Sequence, residues 1–581
     1  MDAAQIAAEI GRNLDFLASN LRDVPERHRS MRVVFEQSWS QLTPTEQQLL
    51  ARLSVFRGGF ALADGLAITQ AGAGELAVLL DKSLVHRTSH GRYTLHELIR
   101  QFAAEKLADA GEIQQKHSLH YLAQLRDCGP QFLGSAPHVA QAAVQQELDN
   151  MMAAWETAVA QHLWEPLGEA IQPWVDYYEM AGTFAEGLSL FSHAATQLAA
   201  LPEPAPAQKL VLGYVQVQAA WFMYVVVGSS EEGKRLAENA LAIAQELGHE
   251  HLRAVALYRL GLLAWRFNQQ HASIALLTEA YHYFRQLNDT FYAISVAGNL
   301  SFRHGRLNQD EADLAYAREA YLLAQSHPSV FALATALDAL SYYYERRGQL
   351  AEAIHYREQA DGYFRQAQWH QGLALHQISL GNIYLRQGEL AKALATYQSS
   401  LAFYQKTGNV NSMLNLQSNI ANVYARQGEY DVALAMHQEV LATCQKLDNR
   451  WGMLLSLVLI GQEQARRNLL AEAAVTYEQA WQLAEAMQAP QKQAQILSGK
   501  AVLATHHQKW AEAERLLTEA LRIDREIENK QGQAMHHYHW GLLYLAQGEK
   551  EAATRPLALA RALYEELQDS YRLAQVVAAL G

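Results

Sequence analysis

The stretch GNIYLRQGEL at 381–390 returns forty positions later as ANVYARQGEY at 421–430. A fixed period of this length constrains a fold more than composition does, because every copy must offer the same faces to its neighbours. Aligned on the small residue that opens each unit, Gly381, Ala421, Gly461, Ala501 and Gly541 follow one another at 40 residues, and Ser341 stands 40 before the first. Gly261 lies two periods before Ser341, and Trp221 one period before Gly261. In the interval, GNLSFRHGRL at 298–307 aligns best with GNIYLRQGEL, which predicts one unit about three residues short and the next about three long.

Small and apolar residues recur at helical spacing inside each unit, and a turn residue follows seven positions after the opener. The turn residues so expected are Gly228, Asn268, Gly305, Gly348, Gly388, Gly428, Asn468, Gln508 and Gly548. Glycine and asparagine tolerate the left-handed conformation that ends a helix, so Gln508 is the exception. A second helical stretch places Ala240, Ala280, Ala360, Ser400, Ala480, Ala520 and Ala560 where two helices must come close, with Val440 departing from the pattern. The pattern of Gly381, Tyr384, Gly388, Leu390, Ala393 and Tyr397 resembles the tetratricopeptide repeat in a long form of roughly forty residues, over about residues 174–581. The resemblance implies an all-α, right-handed superhelical solenoid of helix pairs with a concave face, since one pair alone cannot bury its apolar side. The stretch WVDYYEMAGTFAEGLSLF at 174–191 is similar to a degenerate first unit.

The chain has 581 residues, 50% apolar, with a formal net charge of −13 and no low-complexity tract, so the whole of it has the composition of folded protein. No basic segment followed by an apolar run stands at the N-terminus, and WFMYVVV at 221–227 is too short to span a bilayer. Cys128 and Cys444 give neither a disulfide framework nor a zinc spacing. These features predict a soluble protein of the cytoplasm without membrane attachment.

The N-terminal part is different. Thr43, Pro44 and Glu46 spell a capping box with proline at the first helical position. LVHRT and RYTL flank the polar turn SHG at 89–91, which reads as a short β-hairpin, and HELIRQFAAEKLADAG as a helix. Helices followed by two strands suggest a winged helix over 31–110. The run VPERHRSMRVVFEQSWSQLTPTEQQLLARLSVFRGGF, with LLDKSLVHR, GRYTLHELIRQFAAEKL, QQKHSLHYLAQL and ELDNMMAAWETAV, resembles the segment after the nucleotide-binding core of bacterial STAND signal-transducing ATPases similar to AfsR-type and maltose-regulator-type activators. This resemblance covers roughly residues 1–165 and implies a division into 1–30, the helical tail of a missing nucleotide-binding module, 31–110, the winged helix, 111–173, a helical arm, and 174–581, the repeat array. No GxxxxGK[ST] loop exists in the chain, so it is not an enzyme by itself; ATPase activity, with its ADP or ATP, would reside in an upstream module. The chain itself carries no expected cofactor. His96, in the sequence TLHE, occupies the place of the family's Met-His-Asp histidine and by resemblance would contact the ADP β-phosphate in the full-length protein; the alternative is a helix cap. DNA binding by the winged helix is disfavoured, since LADGLAITQA has no lysine or arginine, and Arg87 and Arg92 are balanced by Asp81 and Glu97.

Five residues after the openers stand Arg266, Arg303, Arg346, Arg386, Arg426 and Arg466. Equivalent positions of stacked repeats form a ladder, so these guanidinium groups should run as a strip. Either each cation offsets the dipole of its helix end, worth roughly 0.3–1 kcal/mol, or the strip recognises carboxylate or phosphate through paired hydrogen bonds. One position after the opener lie Asn299, Asn382 and Asn422, with Tyr342 and Gln462 in the same row. Asparagine there resembles peptide-binding tetratricopeptide proteins, where it grips an extended backbone; a solvated polar face is the alternative. Phe222, Trp265 and Phe302 are aromatic candidates for an apolar anchor or for packing. The cluster of His506, His507, His536, His537 and His539 lacks the ligand set of a metal site. The expected function is ligand sensing for a STAND ATPase, in which the array binds an activating protein, peptide or small molecule and relays it through the winged helix. A constitutive interaction scaffold is the alternative.

Overall fold

The computed structural model describes residues 31–581, apart from Ser229, Asn268, Gly408 and Asp448. The expected tail at 1–30 and the expected turn at Asn268 therefore lie outside the described residues. These residues form 28 helices and one hairpin of two-residue strands, and the chain divides between Asn288 and Asp289 into two compact units.

In the first unit, Thr43 caps Pro44–Leu53 through the expected box: the Glu46 amide donates to Thr43 Oγ1 at 3.4 Å and the Thr43 amide to the Glu46 carboxylate at 2.7 Å. The hairpin pairs His86 with Thr94 and Arg87 with Tyr93. Arg92 is held by Glu147 of the Pro137–Ala160 helix and by the Gly59 carbonyl at 3.0 Å, not by the nearby Asp81 or Glu97. Asn150, one turn after Glu147, donates to the same carbonyl at 2.7 Å. His120 and Gln124 reach Asp64 at 2.8 and 2.9 Å. The block at 31–105 is thus fastened onto the long helices Ala110–Phe132 and Pro137–Ala160. Pro206–Val226 has the length and composition of a membrane span, extending the 221–227 stretch, but 56% of that window is buried inside the unit. Both cysteines are free and buried.

The second unit is a stack of helix pairs. First helices begin at Thr290, Val330, His370, Val410, Arg450, Pro490, Lys530 and Ser570, a constant 40 residues. The expected register slip does not occur. The unit that starts at Thr290 opens on Ser301, which is fully buried, and turns at Asn308 with φ +55°, instead of opening on Gly298 and turning at Gly305. Its second helix brings Ala320, also buried, to the close-packing position. Gly305 lies inside the helix, and GNLSFRHGR resembles the sister segment only by composition.

The opener is small because the residue sixteen positions later, on the paired helix, occupies the space. A Cβ on Gly381 would lie 2.5 Å from Tyr397, on Gly461 2.7 Å from Tyr477, and on Gly541 2.4 Å from Leu557. Where the opener is Ser341, the partner is Arg357, whose Nε donates to the serine hydroxyl at 3.2 Å. Turn residues Gly348, Gly388, Gly428, Asn468 and Gly548 all have positive φ, and Gln508 adopts the same conformation at +55°. First helices of successive units pack on one another to a degree second helices do not, so the array curves with the first helices on its inner side.

Candidate functional site

The first helices Thr290–Arg306, Val330–Arg346, His370–Gln387, Val410–Arg426 and Arg450–Arg466 bring a guanidinium to the same place at or beside the helix end, five residues after each opener. The column is Arg306, Arg346, Arg386, Arg426 and Arg466, followed by His506 and Ala546. Arg303 is not a member: it is buried and donates to Asn299 Oδ1 at 3.1 Å, one turn back on its own helix. Asn299 falls out of the inner row for the same reason, and Phe302 takes its place. Arg266 belongs to the first unit, where its guanidinium lies 5.0 Å over the Tyr224 ring.

The central arginines reach back to the preceding repeat. Arg346 spans Asp310 at 2.8 Å, Asn308 at 3.3 Å and the buried Asp313 at 3.4 Å. Arg386 lies 3.5 Å from Glu345. Arg426 donates to the Leu385 carbonyl at 2.6 Å, an acceptor in the last turn of the preceding first helix that also takes the Gly388 amide at 3.3 Å. Arg466 instead pairs with Glu463 of its own helix at 2.6 Å, and Arg306 is exposed with no ion pair among the described residues.

Two rungs carry an additional occupant. Arg386 Nη2 donates to the carbonyl of Leu567, and Arg426 sits 4.4 Å over the ring of Tyr571. Leu567 belongs to the turn between Lys550–Glu566 and the last helix, Ser570–Leu580, and Tyr571 to the first turn of that helix. Gly348 touches the same turn so closely that an added Cβ would stand 2.6 Å from the Glu566 carbonyl oxygen. Gln568, in left-handed conformation, accepts from the Leu350 amide at 3.4 Å, and Asn308 donates to Glu528 at 2.7 Å. These pairs are 145 to 220 residues apart, about four to five units, so the array returns onto its own earlier rungs. Burial pushes the Arg426 guanidinium below the usual arginine range, against the pull of nearby Asp569.

Behind the rungs runs a chain of charges. His376 lies 3.3 Å from both Asp361 and Asp338; Asp338 pairs with the buried Arg357 at 2.9 Å; Arg357 is 3.8 Å from Glu345, which faces Arg386. Burial raises the Glu345 carboxyl, with Arg357 and Arg386 opposing it. At Asp338, burial acts upward, but the His376 and Arg357 charges outweigh it and hold the carboxyl below its ordinary value. The sequence reading missed this network and Arg306. The available signal was Arg357 itself, a permanent charge in the column that also holds Tyr397, His437, Tyr477, Leu517 and Leu557.

In the inner row, Phe302 and Tyr342 form a ring pair with centroids 4.7 Å apart. Burial pushes the Tyr342 hydroxyl up to about 12. Asn382 is exposed and its side-chain carbonyl oxygen accepts from the Tyr397 hydroxyl at 2.6 Å; Asn422 is half-buried. Phe222 is fully buried against Phe191 and is a packing residue. His536 pairs with Asp524 and His539 with Ser498, each at 2.7 Å, and no group of three metal-ligating side chains occurs among the described residues. His96 is the N-cap of Glu97–Glu105, accepting from the Leu98 amide at 3.3 Å, with its imidazole exposed.

Residues 378–409 and 412–486 match tetratricopeptide repeat families, and the helix pairs there are tetratricopeptide repeats. Proteins of Mycobacterium tuberculosis and Mycobacterium bovis that bear the description HTH-type transcriptional regulator are 30% identical over 275 residues, 43% of this chain. The chain spans 30% of the length of these curated relatives. Among solved structures, a STAND protein with a tetratricopeptide repeat sensor from Pyrococcus horikoshii matches 95% of this chain and 68% of its own, at 15% identity and a TM-score of 0.43. A Rap protein complexed with competence and sporulation factor matches 63% of this chain and 99% of its own, at 11% identity and a TM-score of 0.47.

Proposed function

We propose that this chain is the ligand-binding repeat region of a larger transcriptional regulator, and that the arginine column of its second unit recognises an acidic segment of a partner protein or peptide. The observation that carries this reading is the column itself: one guanidinium per 40 residues over five consecutive first helices, with an exposed amide at Asn382 in the adjoining row. Planar donors at fixed spacing suit successive carboxylates or carbonyls of an extended chain better than a lone cation does. The regulator description of the curated relatives supports the regulatory half of the reading, as does the resemblance of residues 1–165 to the segment after a STAND nucleotide-binding core. In that setting the protein works in the cytoplasm, an upstream module holds ADP or ATP, the block at 31–110 acts as a winged helix, and His96 faces the nucleotide.

The experiment is a panel of fluorescent twelve-residue peptides in matched pairs, glutamate and aspartate in one member replaced by glutamine and asparagine in the other. The acidic members should bind the chain and lose binding to the Arg386→Ala, Arg426→Ala variant. Equal retention of both members would refute anion recognition.

A further inference from the structure

Five rungs share one geometry, but two of them are already in use by the chain itself. The Leu567 carbonyl occupies Arg386, the Tyr571 ring lies on Arg426, and Asp569 stands between them, buried, as the N-cap of the last helix through the Arg572 amide at 3.0 Å. Gly348 admits the Glu566 backbone to a distance that a side chain would forbid, and Gln568 engages the Leu350 amide. The occupant is therefore specific in backbone, ring and charge. Its far side is less committed: Val577 and Leu580 of the last helix remain 51% and 39% exposed.

We infer that the turn at 566–571 is an internal occupant of the binding column, and that a partner binds by presenting the same three features, a turn carbonyl, an acidic residue two positions on and an aromatic ring two further, in place of it. This rests on the proposed binding role of the column and adds both the partner's chemistry and the step that binding requires. A site filled in cis has an apparent affinity lowered by the fraction of molecules in which it is vacant. The Leu567 carbonyl and the Tyr571 ring fill the positions on Arg386 and Arg426 that a partner's carbonyl and ring would take, so capture and release of the turn are coupled. Glu345, held by Arg357, stays on Arg386 in either state and keeps the rung aimed.

The test uses the full chain and a labelled peptide of its own sequence 564–574, YEELQDSYRLA. Tyr571→Ala with Gln568→Gly loosens the turn in cis; glycine suits the left-handed backbone at 568, and no rung is altered. The peptide should bind this variant about 10-fold tighter than the unsubstituted chain, the fold expected when about 1.4 kcal/mol of competing contact is removed. Adding Arg386→Ala and Arg426→Ala should abolish the gain. Equal, arginine-dependent affinity for both chains would overturn the internal occupant and leave the binding column standing. No arginine-dependent binding to either chain would overturn both. Amide exchange over 567–575 should rise in the variant, and unchanged protection there would also count against the inference.

Discussion

Arg426 and Arg466 stand one unit apart at the same place on the same kind of helix. Arg426 is half-buried between the Leu385 carbonyl and the Tyr571 ring, while Arg466 keeps 48% of its side chain exposed and pairs within its own helix. Repeat position therefore decides where a side chain starts, not what it meets. What it meets is set by which rungs face the returning end of the array. The centre of the column is covered by the returning end of the array; its flanks, Arg306 and Arg466, are not.

Four measurements can break or sharpen that contrast. Arg357→Met should have the largest effect, about 3 kcal/mol lost in urea denaturation, because it removes the buried cation that Asp338 and Glu345 share and leaves them only His376 and Arg386. A loss under 1 kcal/mol would show that Arg386 is aimed by something else. Arg386→Ala with Arg426→Ala should weaken acidic-peptide binding by about 100-fold, at roughly 1.5 kcal/mol for each charged hydrogen bond. Arg306→Ala with Arg466→Ala should cost under about 3-fold in the same titration if only the centre holds the ligand's anchor. An inverted order would transfer the site to the flanks.

The third concerns acid. His437, fully buried with neither ring nitrogen hydrogen-bonded, is pushed down to about 4 by burial first and by Arg466 second. Its folded pKa lies below the unfolded value of 6.5, so the native state binds fewer protons and stability falls as the pH drops from about 6.5 towards 4. His437→Leu, which copies Leu517 and Leu557 at the equivalent position, should recover about 2 kcal/mol at pH 4.5 relative to its effect at pH 7. A pH-independent difference would mean that the imidazole titrates normally. The smallest effect is expected for Arg466→Ala on stability at pH 7, a loss of about 1 kcal/mol, since it leaves the buried Glu463 carboxylate without its ion pair while the arginine itself is half exposed.

The bricks were legible because their causes are local: Gly381 faces Tyr397, Gly388 takes positive φ, and Thr43 with Glu46 forms a capping box within four residues. Register in the Thr290 unit was misread because Gly298 and Gly305 imitate an opener and a turn, whereas the opener is decided by what packs against it. Ser301 donates to buried Asp313 at 2.6 Å, a partner that no alignment of openers reveals. That error placed Arg303 and Asn299 in the wrong rows. The Leu567 and Tyr571 contacts were illegible in principle, since they arise from the accumulated rotation of about four units and not from any residue's neighbours in sequence.

The strict 40-residue step also makes the array a gauge of its own length. Because the return falls a fixed number of bricks later, duplicating one whole brick between Arg450 and Lys530 would move the final turn one rung onward, from Arg386 and Arg426 to Arg426 and Arg466. Adding half a brick would instead set a second helix where a first is needed and leave the turn without a rung. Evolution of such a chain is thus quantised: it can change which rungs are covered by whole repeats, and each step re-addresses the site without altering a single arginine.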